Sequence, residues 1–178
     1  MLKKILLALA LIVVGVLIYA STRPNELQVS REIVLKAGPE VIFPYLNSSQ
    51  KSNEWMPWVS MDPALKMSYN GPAEGVGSQA SWESTGDMGI GKSEIVESIP
   101  NRLVKTQLTY LKPMEMSQVS IMELEPIAEG TRVSWKVVMP QNLLAKTACL
   151  FMDMDKMIGT NFEQGLQKLQ TMVDGSNT

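Results

Sequence analysis

Apolar and polar residues alternate with a period of two along most of the chain from Glu26 to Met139, then recur at three- and four-residue steps towards the C-terminus. The first alternating run is Leu27-Gln-Val29-Ser-Arg31-Glu-Ile33-Val-Leu35, the pattern of a half-buried strand. Further runs place Leu65, Met67 and Tyr69 on one face, then Val104, Leu108 and Tyr110, then Met116, Met122 and Leu124, then Val133, Trp135, Val137 and Met139. The opposite faces carry Arg102, Lys105, Glu115, Glu123, Arg132 and Lys136, which predicts an antiparallel sheet with one greasy side. Turn chemistry at Asn70-Gly71-Pro72, Thr85-Gly86-Asp87, Pro100-Asn101, Lys112-Pro113 and Glu129-Gly130 separates the runs.

Two helical signals interrupt this pattern. Gly38-Pro39-Glu40 opens a short helix, with proline suited to its first position and the acid to its positive end. Pro44 limits or kinks that helix, and Asn47 to Glu54 reads as a turn or second short helix. A loop carrying Trp55 and Trp58 follows. Near the C-terminus, Phe151, Met154, Ile158, Phe162, Leu166, Leu169 and Val173 share one helical face. Asn142 is placed to cap a single helix running to Val173, roughly 45 Å long at about 1.5 Å per residue. Gly159 and Gly165 mark a bend or a close approach to the sheet. The predicted class is α+β: a curved antiparallel sheet of six to seven strands, a short helical pair after the first strand, and a long last helix over the sheet.

The leader is a separate unit. Lys3 and Lys4 precede an uncharged run from Ile5 to Thr22, with Ile5 and Ala20 bounding the membrane-crossing part. Eighteen residues reach roughly 27 Å, close to the hydrocarbon thickness of about 30 Å. Lysines on the N-terminal side favour an N-terminus in the cytoplasm and an exported, periplasm-facing domain, with Tyr19 as an interfacial aromatic. A cleaved signal, leaving a secreted domain, is the rival, although Ile18 is bulkier than such sites prefer. A buried core helix is a third reading. The expected organisation is an anchor over 1–22, a linker over 23–26 that spans at most about 20 Å, and one domain over 27–175.

Composition removes whole classes of chemistry. The chain has no histidine, which excludes Ser-His-Asp and Cys-His catalysis and His-ligated zinc. Cys149 stands alone, so no intramolecular disulfide or thiolate cluster forms. Net charge is −2 and no basic run lies beyond the leader, which argues against nucleic acid as a partner. Asp153 and Asp155 lie two apart, so on a helix they point away from each other, and no metal site or cofactor is expected. Gly86-Asp-Met-Gly89-Ile-Gly91 lacks the strand–turn–helix context of a phosphate loop and reads as a hairpin.

Several motifs carry a resemblance. They are Ala37-Gly38-Pro39-Glu40-Val41-Ile42-Phe43-Pro44-Tyr45-Leu46, Trp55-Met56-Pro57-Trp58, Gly71-Pro72 through Gly75-Val76-Gly77, and Trp82. Later come Glu129-Gly130-Thr131-Arg132-Val133-Ser134-Trp135 and Phe162-Glu163-Gln164-Gly165-Leu166. In these residues and in element order the chain resembles the Bet v 1-like, START-like helix-grip superfamily, and within it the bacterial polyketide cyclase/dehydrase and lipid-transport group. The resemblance implies a hydrophobic cavity between sheet and last helix, in relatives that bind lipids, sterols, quinones or polyketides and are enzymes only in a minority.

That cavity would be lined on the sheet side by Trp82, Leu108, Tyr110, Met116, Met122, Trp135 and Met139, and on the helix side by Phe151, Met154 and Ile158. Alternation also turns Thr106, Gln118 and Ser120 inward, where an unpartnered polar group costs roughly 1–3 kcal/mol; they are pocket groups, unless a bulge turns them outward. Thirteen methionines favour an adaptable apolar surface. Trp55 and Trp58 gate the mouth or pack under the sheet edge. The leading expectation is a membrane-tethered module that binds a hydrophobic small molecule or lipid, with no catalytic residue assigned and the protein partner unknown. A filled-core scaffold, and a cyclase or dehydratase using Tyr110, are the alternatives.

Overall fold

The computed structural model of the protein describes residues 1–86 and 88–176. Asp87, which the sequence places in a turn, lies outside the described residues. Helix α1 (Leu2–Ser21) leads into β1 (Glu26–Leu35), followed by three short helices, α2 (Pro39–Leu46), α3 (Ser49–Trp55) and α4 (Pro57–Met61). Six strands come next: β2 (Lys66–Asn70), β3 (Gln79–Glu83), β4 (Ile90–Ile99), β5 (Leu103–Lys112), β6 (Met116–Ile127) and β7 (Gly130–Pro140). Helices α5 (Leu143–Ala148) and α6 (Met154–Ser176) close the described chain.

All seven strands form one antiparallel sheet in the order β1-β7-β6-β5-β4-β3-β2. The chain is thus a meander from β2 to β7, with β1 folded back against β7. Register shifts beside Val96 and Leu111 bend the β4–β5 pair, and such bulges increase the local twist. The inner face bears Val29, Leu35, Ile95, Val104, Met122, Leu124, Val133, Trp135 and Val137. Outside, Glu97 pairs with Lys105 at 2.6 Å, and Arg132 with Glu125 and Glu32.

The predicted single C-terminal helix is corrected to two. The chain leaves helical geometry between Ala148 and Met154, and a new helix starts where the Asp153 carboxylate accepts a hydrogen bond from the Lys156 amide at 3.0 Å. Apolar spacing continues across this break, so hydrophobic periodicity alone could not reveal it. Asn142 does cap, but it caps α5, through the Ala145 amide. The expected loop at Trp55–Trp58 is also corrected: Trp55 ends α3, and Pro57 takes the first position of α4, where its missing N–H costs nothing.

Helix α6 lies across the inner face and is fixed at two points. Gly165 brings it down on the sheet, since an added Cβ there would sit 3.0 Å from the Trp135 ring and 3.2 Å from Pro57. Nearer its start, Arg31 reaches up from β1. The guanidinium donates to both Asp155 carboxylate oxygens at 2.9 and 3.1 Å, and to Glu163 at 2.6 Å. Gly159 leaves the room for it, because a side chain there would run into the guanidinium. Arg31 is an inward position on an edge strand, and α6 supplies its counter-charges.

This contact sets a pH dependence. The Arg31 hydrogen bonds hold the Asp155 carboxyl below the usual aspartate range. A lowered value means that the clamp is complete above the ordinary aspartate pKa, about 4, and is lost as pH falls through the lowered one. Arg31→Met is expected to speed amide exchange at 157–161 and to abolish the acid sensitivity of that exchange. Unchanged exchange would show that the clamp does not hold α6.

Helix α1 projects from the domain with only Ala20 buried, where it meets α5, so it is not a core helix. It is an apolar helix long enough to cross a membrane, of the kind found in anchors and signal sequences. Its junction with the domain is tied down. Asn25 accepts the Gln141 amide through its carbonyl at 2.8 Å and the buried Lys146 ammonium through its side chain at 2.7 Å.

Candidate functional site: an apolar cavity under the last helix

Sheet and α6 do not fill the volume between them. A cavity of about 780 Å³ lies over β2 to β7, walled by the first turns of α6 and by α3 and α4. The size falls within the range of small-molecule pockets, roughly 300–1,000 Å³.

Its floor is an aromatic cluster centred on Trp135. The Trp135 ring stacks on Phe162 at 4.0 Å between centroids, and meets Trp55 edge-on at 5.3 Å and Trp58 at 5.5 Å. Its indole N–H donates to the Ser120 hydroxyl at 2.9 Å, which satisfies both buried groups. On one side of this floor, Ile42, Leu166, Leu169 and Val173 pack as core. On the other the interior is open.

Sheet register decides which side chains face that space. Thr106 opposes Ser120, Leu108 opposes Gln118, and Tyr110 opposes Met116; all six line the cavity. The bulges lie in the β4–β5 pair and leave β5–β6 pairing continuous, so the inward polar residues stay inward. Gln118 donates its amide to the Tyr110 hydroxyl at 3.1 Å, and Trp82 meets the Tyr110 ring edge-on at 5.3 Å. Burial pushes the Tyr110 phenol above its ordinary value, so it stays protonated at neutral pH with its own hydrogen free to donate. A raised value means that this neutral state is favoured at low and neutral pH and is lost only as pH rises through it.

The structure gathers Trp82, Thr106, Leu108, Tyr110, Met116, Gln118, Ser120, Met122, Trp135, Met139, Met154 and Ile158 around one space. Two expected members are elsewhere. Phe151 is exposed, in the break between α5 and α6, because the helix that would have turned it inward stops before it. Trp55 is not at the mouth; it is fully buried, with its N–H donating to the Tyr45 carbonyl at 3.1 Å. Trp58 does line the cavity.

Sequence reasoning missed other lining residues: Met56, Met61, Asp62, Met88, Ser93, Lys112, Met114 and Asn161. Most stand in loops or short helices, where no period marks a facing direction. Nine of the thirteen methionines line the space, more than chance packing would place there: Met56, Met61, Met67, Met88, Met114, Met116, Met122, Met139 and Met154. Asp62 is the sole carboxylate in the described lining, and it accepts a hydrogen bond from the Ser84 hydroxyl. No cluster of metal-ligating side chains occurs among the described residues. Asp153 caps α6 and Asp155 holds Arg31, so neither is a metal ligand here.

A helix laid across a curved antiparallel sheet, with a cavity between them, defines a helix-grip protein. The model of the polyketide cyclase / dehydrase and lipid transport family matches residues 26–174, and the chain belongs to that family. No curated protein matches it. Among solved structures, it is similar to protein CV1439 from Chromobacterium violaceum, with TM-score 0.58 and 15% identity over 85% of this chain and 98% of that one. The di-domain ARO/CYC StfQ from the steffimycin biosynthetic pathway matches with TM-score 0.60 and 11% identity, over 86% of this chain and 52% of that one. The Aha1 dimer from Colwellia psychrerythraea gives TM-score 0.52 and 21% identity, over 83% and 94%. At these identities the likeness shows the shared fold. The family's range is hydrophobic-ligand binding and polyketide cyclase or dehydrase chemistry.

Proposed function

We propose that the protein is a membrane-tethered, periplasm-facing module that takes a hydrophobic small molecule or lipid into the cavity over β2 to β7. The observation that carries this reading is the unfilled space itself, about 780 Å³, walled by methionines and aromatics with a few polar groups. Burying apolar ligand surface there gains roughly 25 cal/mol per Å². Orientation comes from the Tyr110 hydroxyl and the Gln118 amide, which together present a donor and an acceptor to a polar ligand end. Helix α1 and the two lysines in its first turn support the tether and its direction.

Native mass spectrometry of the full chain, extracted from its own membranes in mild detergent, tests the reading. The expected spectrum shows an intact N-terminus and a bound small apolar molecule. A bare chain that also takes up no added fatty acid, sterol or quinone would remove the binding reading. Chemical conversion of an added polyketone, lost in Tyr110→Phe, would replace it with an enzymatic one.

A further inference from the structure

We propose that the cavity mouth is a membrane-docking surface, held against the same bilayer that carries α1, so that ligand passes between lipid and cavity without crossing water. This rests on the anchor reading of α1 and adds where the opening points.

The first support is topological. Antiparallel pairing sets Glu26 beside Pro140, Val119 beside Val138, Tyr110 beside Met116, Ile90 beside Lys112 and Lys66 beside Glu83. Because Ile90 also pairs with Glu83, one end of the sheet holds the start of β1, the β5–β6 turn, the β3–β4 turn and the approach to β2. The cavity's solvent-exposed lining residues, Met61, Gly86, Lys112, Pro113, Met114 and Met116, all lie in those connections or at the strand ends beside them. The cavity therefore opens at the end where α1 leaves the domain.

The second support is that the junction is fixed. Asn25 is bonded both to Gln141 and to the buried Lys146, and Ala20 is buried against α5. An anchor joined in this way sets the attitude of the domain at the membrane, where a loose tether would not.

The third support is an asymmetry of exposed apolar side chains. Met114, Leu144 and Phe151 are between 72% and 76% exposed, and Met61, Leu111 and Met152 about half or more. Leu111 is at the end of β5, and the other five lie in the connections at this end. Towards the far end the large apolar side chains are less exposed: Val76 at 58%, and Val34, Tyr69, Val96 and Ile99 at 38–46%. Exposed apolar side chains beside a membrane-crossing helix are suited to the headgroup–acyl boundary, into which apolar faces sink roughly 5–10 Å.

The test uses the full chain with Cys149→Ser, reconstituted in phosphatidylethanolamine/phosphatidylglycerol vesicles. Leu144→Cys, Phe151→Cys and, at the far end, Val76→Cys are each labelled with an environment-sensitive fluorophore. Flotation reports the anchor separately. Labels at 144 and 151 are expected to be quenched severalfold more by a lipid-borne nitroxide than the label at 76, and less by aqueous iodide. Protein that floats while iodide quenches all three labels alike overturns the docking and leaves the anchor standing. Failure to float overturns both. Labels at 144 and 151 shielded from both quenchers would mean that a protein, or a second copy, covers this end, and that too overturns the proposal.

Discussion

Trp135→Ala is expected to cost about 3–5 kcal/mol of stability, the range for removing a large buried aromatic. That is a large share of a domain total of about 5–15 kcal/mol. The loss would come from several contacts at once. The stack on Phe162 and the contacts with Trp55 and Trp58 all end on this ring, and the Ser120 hydroxyl would lose its donor. Collapse cannot offset the loss, because the space above is already open and the new void would join it. Chemical denaturation of the full chain in detergent, followed by circular dichroism, measures this directly. Trp58→Ala is the comparison: Trp58 is only half-buried and touches the cluster through one ring contact, so its loss should be clearly smaller. Equal losses would show that the cluster has no centre.

The second large effect is on binding. Thr106→Phe puts an aromatic ring into the middle of the cavity wall, between Ile95 and Ser120 in the sheet register. In a filled core such a substitution overpacks and costs roughly 1–3 kcal/mol. Here the ring enters space that is already vacant, so unfolding should be little changed. A fluorescent fatty acid titrated into the full chain in detergent should bind at least about tenfold more weakly, equivalent to about 1.4 kcal/mol. Unaltered affinity would place the bound molecule outside this cavity. A large loss of stability without loss of binding would mean that the interior is filled after all.

How much of this was visible beforehand depended on the kind of signal. Period-two alternation identified the inner face well enough to place Thr106, Gln118 and Ser120 inside, because sheet side chains have only two directions to choose from. The order of elements and the family likeness followed from motifs that span the domain. Phe151 was misplaced because apolar spacing runs on through a segment where the backbone does not; Asp153, a good cap residue three positions before Lys156, was the available sign. Trp55 and Trp58 are three apart and chemically alike, yet one is core and the other wall, and only the packing of α3 and α4 separates them. The Arg31 clamp was half-visible: a charged residue at an inward strand position asks for partners, and Asp155 and Glu163 flank Gly159 on one helix. The distance between them in sequence hid the pairing.

The methionine-rich wall also has a redox consequence. A thioether accepts an oxygen atom from peroxide to become a sulfoxide, which is polar and chiral where the parent was soft and apolar. Rim sulfurs such as Met61 and Met114 stand in the open and would react first, while Met122 and Met139 are shielded by the fold. Peroxide would therefore make the entrance hydrophilic before it touched the interior, leaving the buried part of the wall apolar while the domain stayed folded.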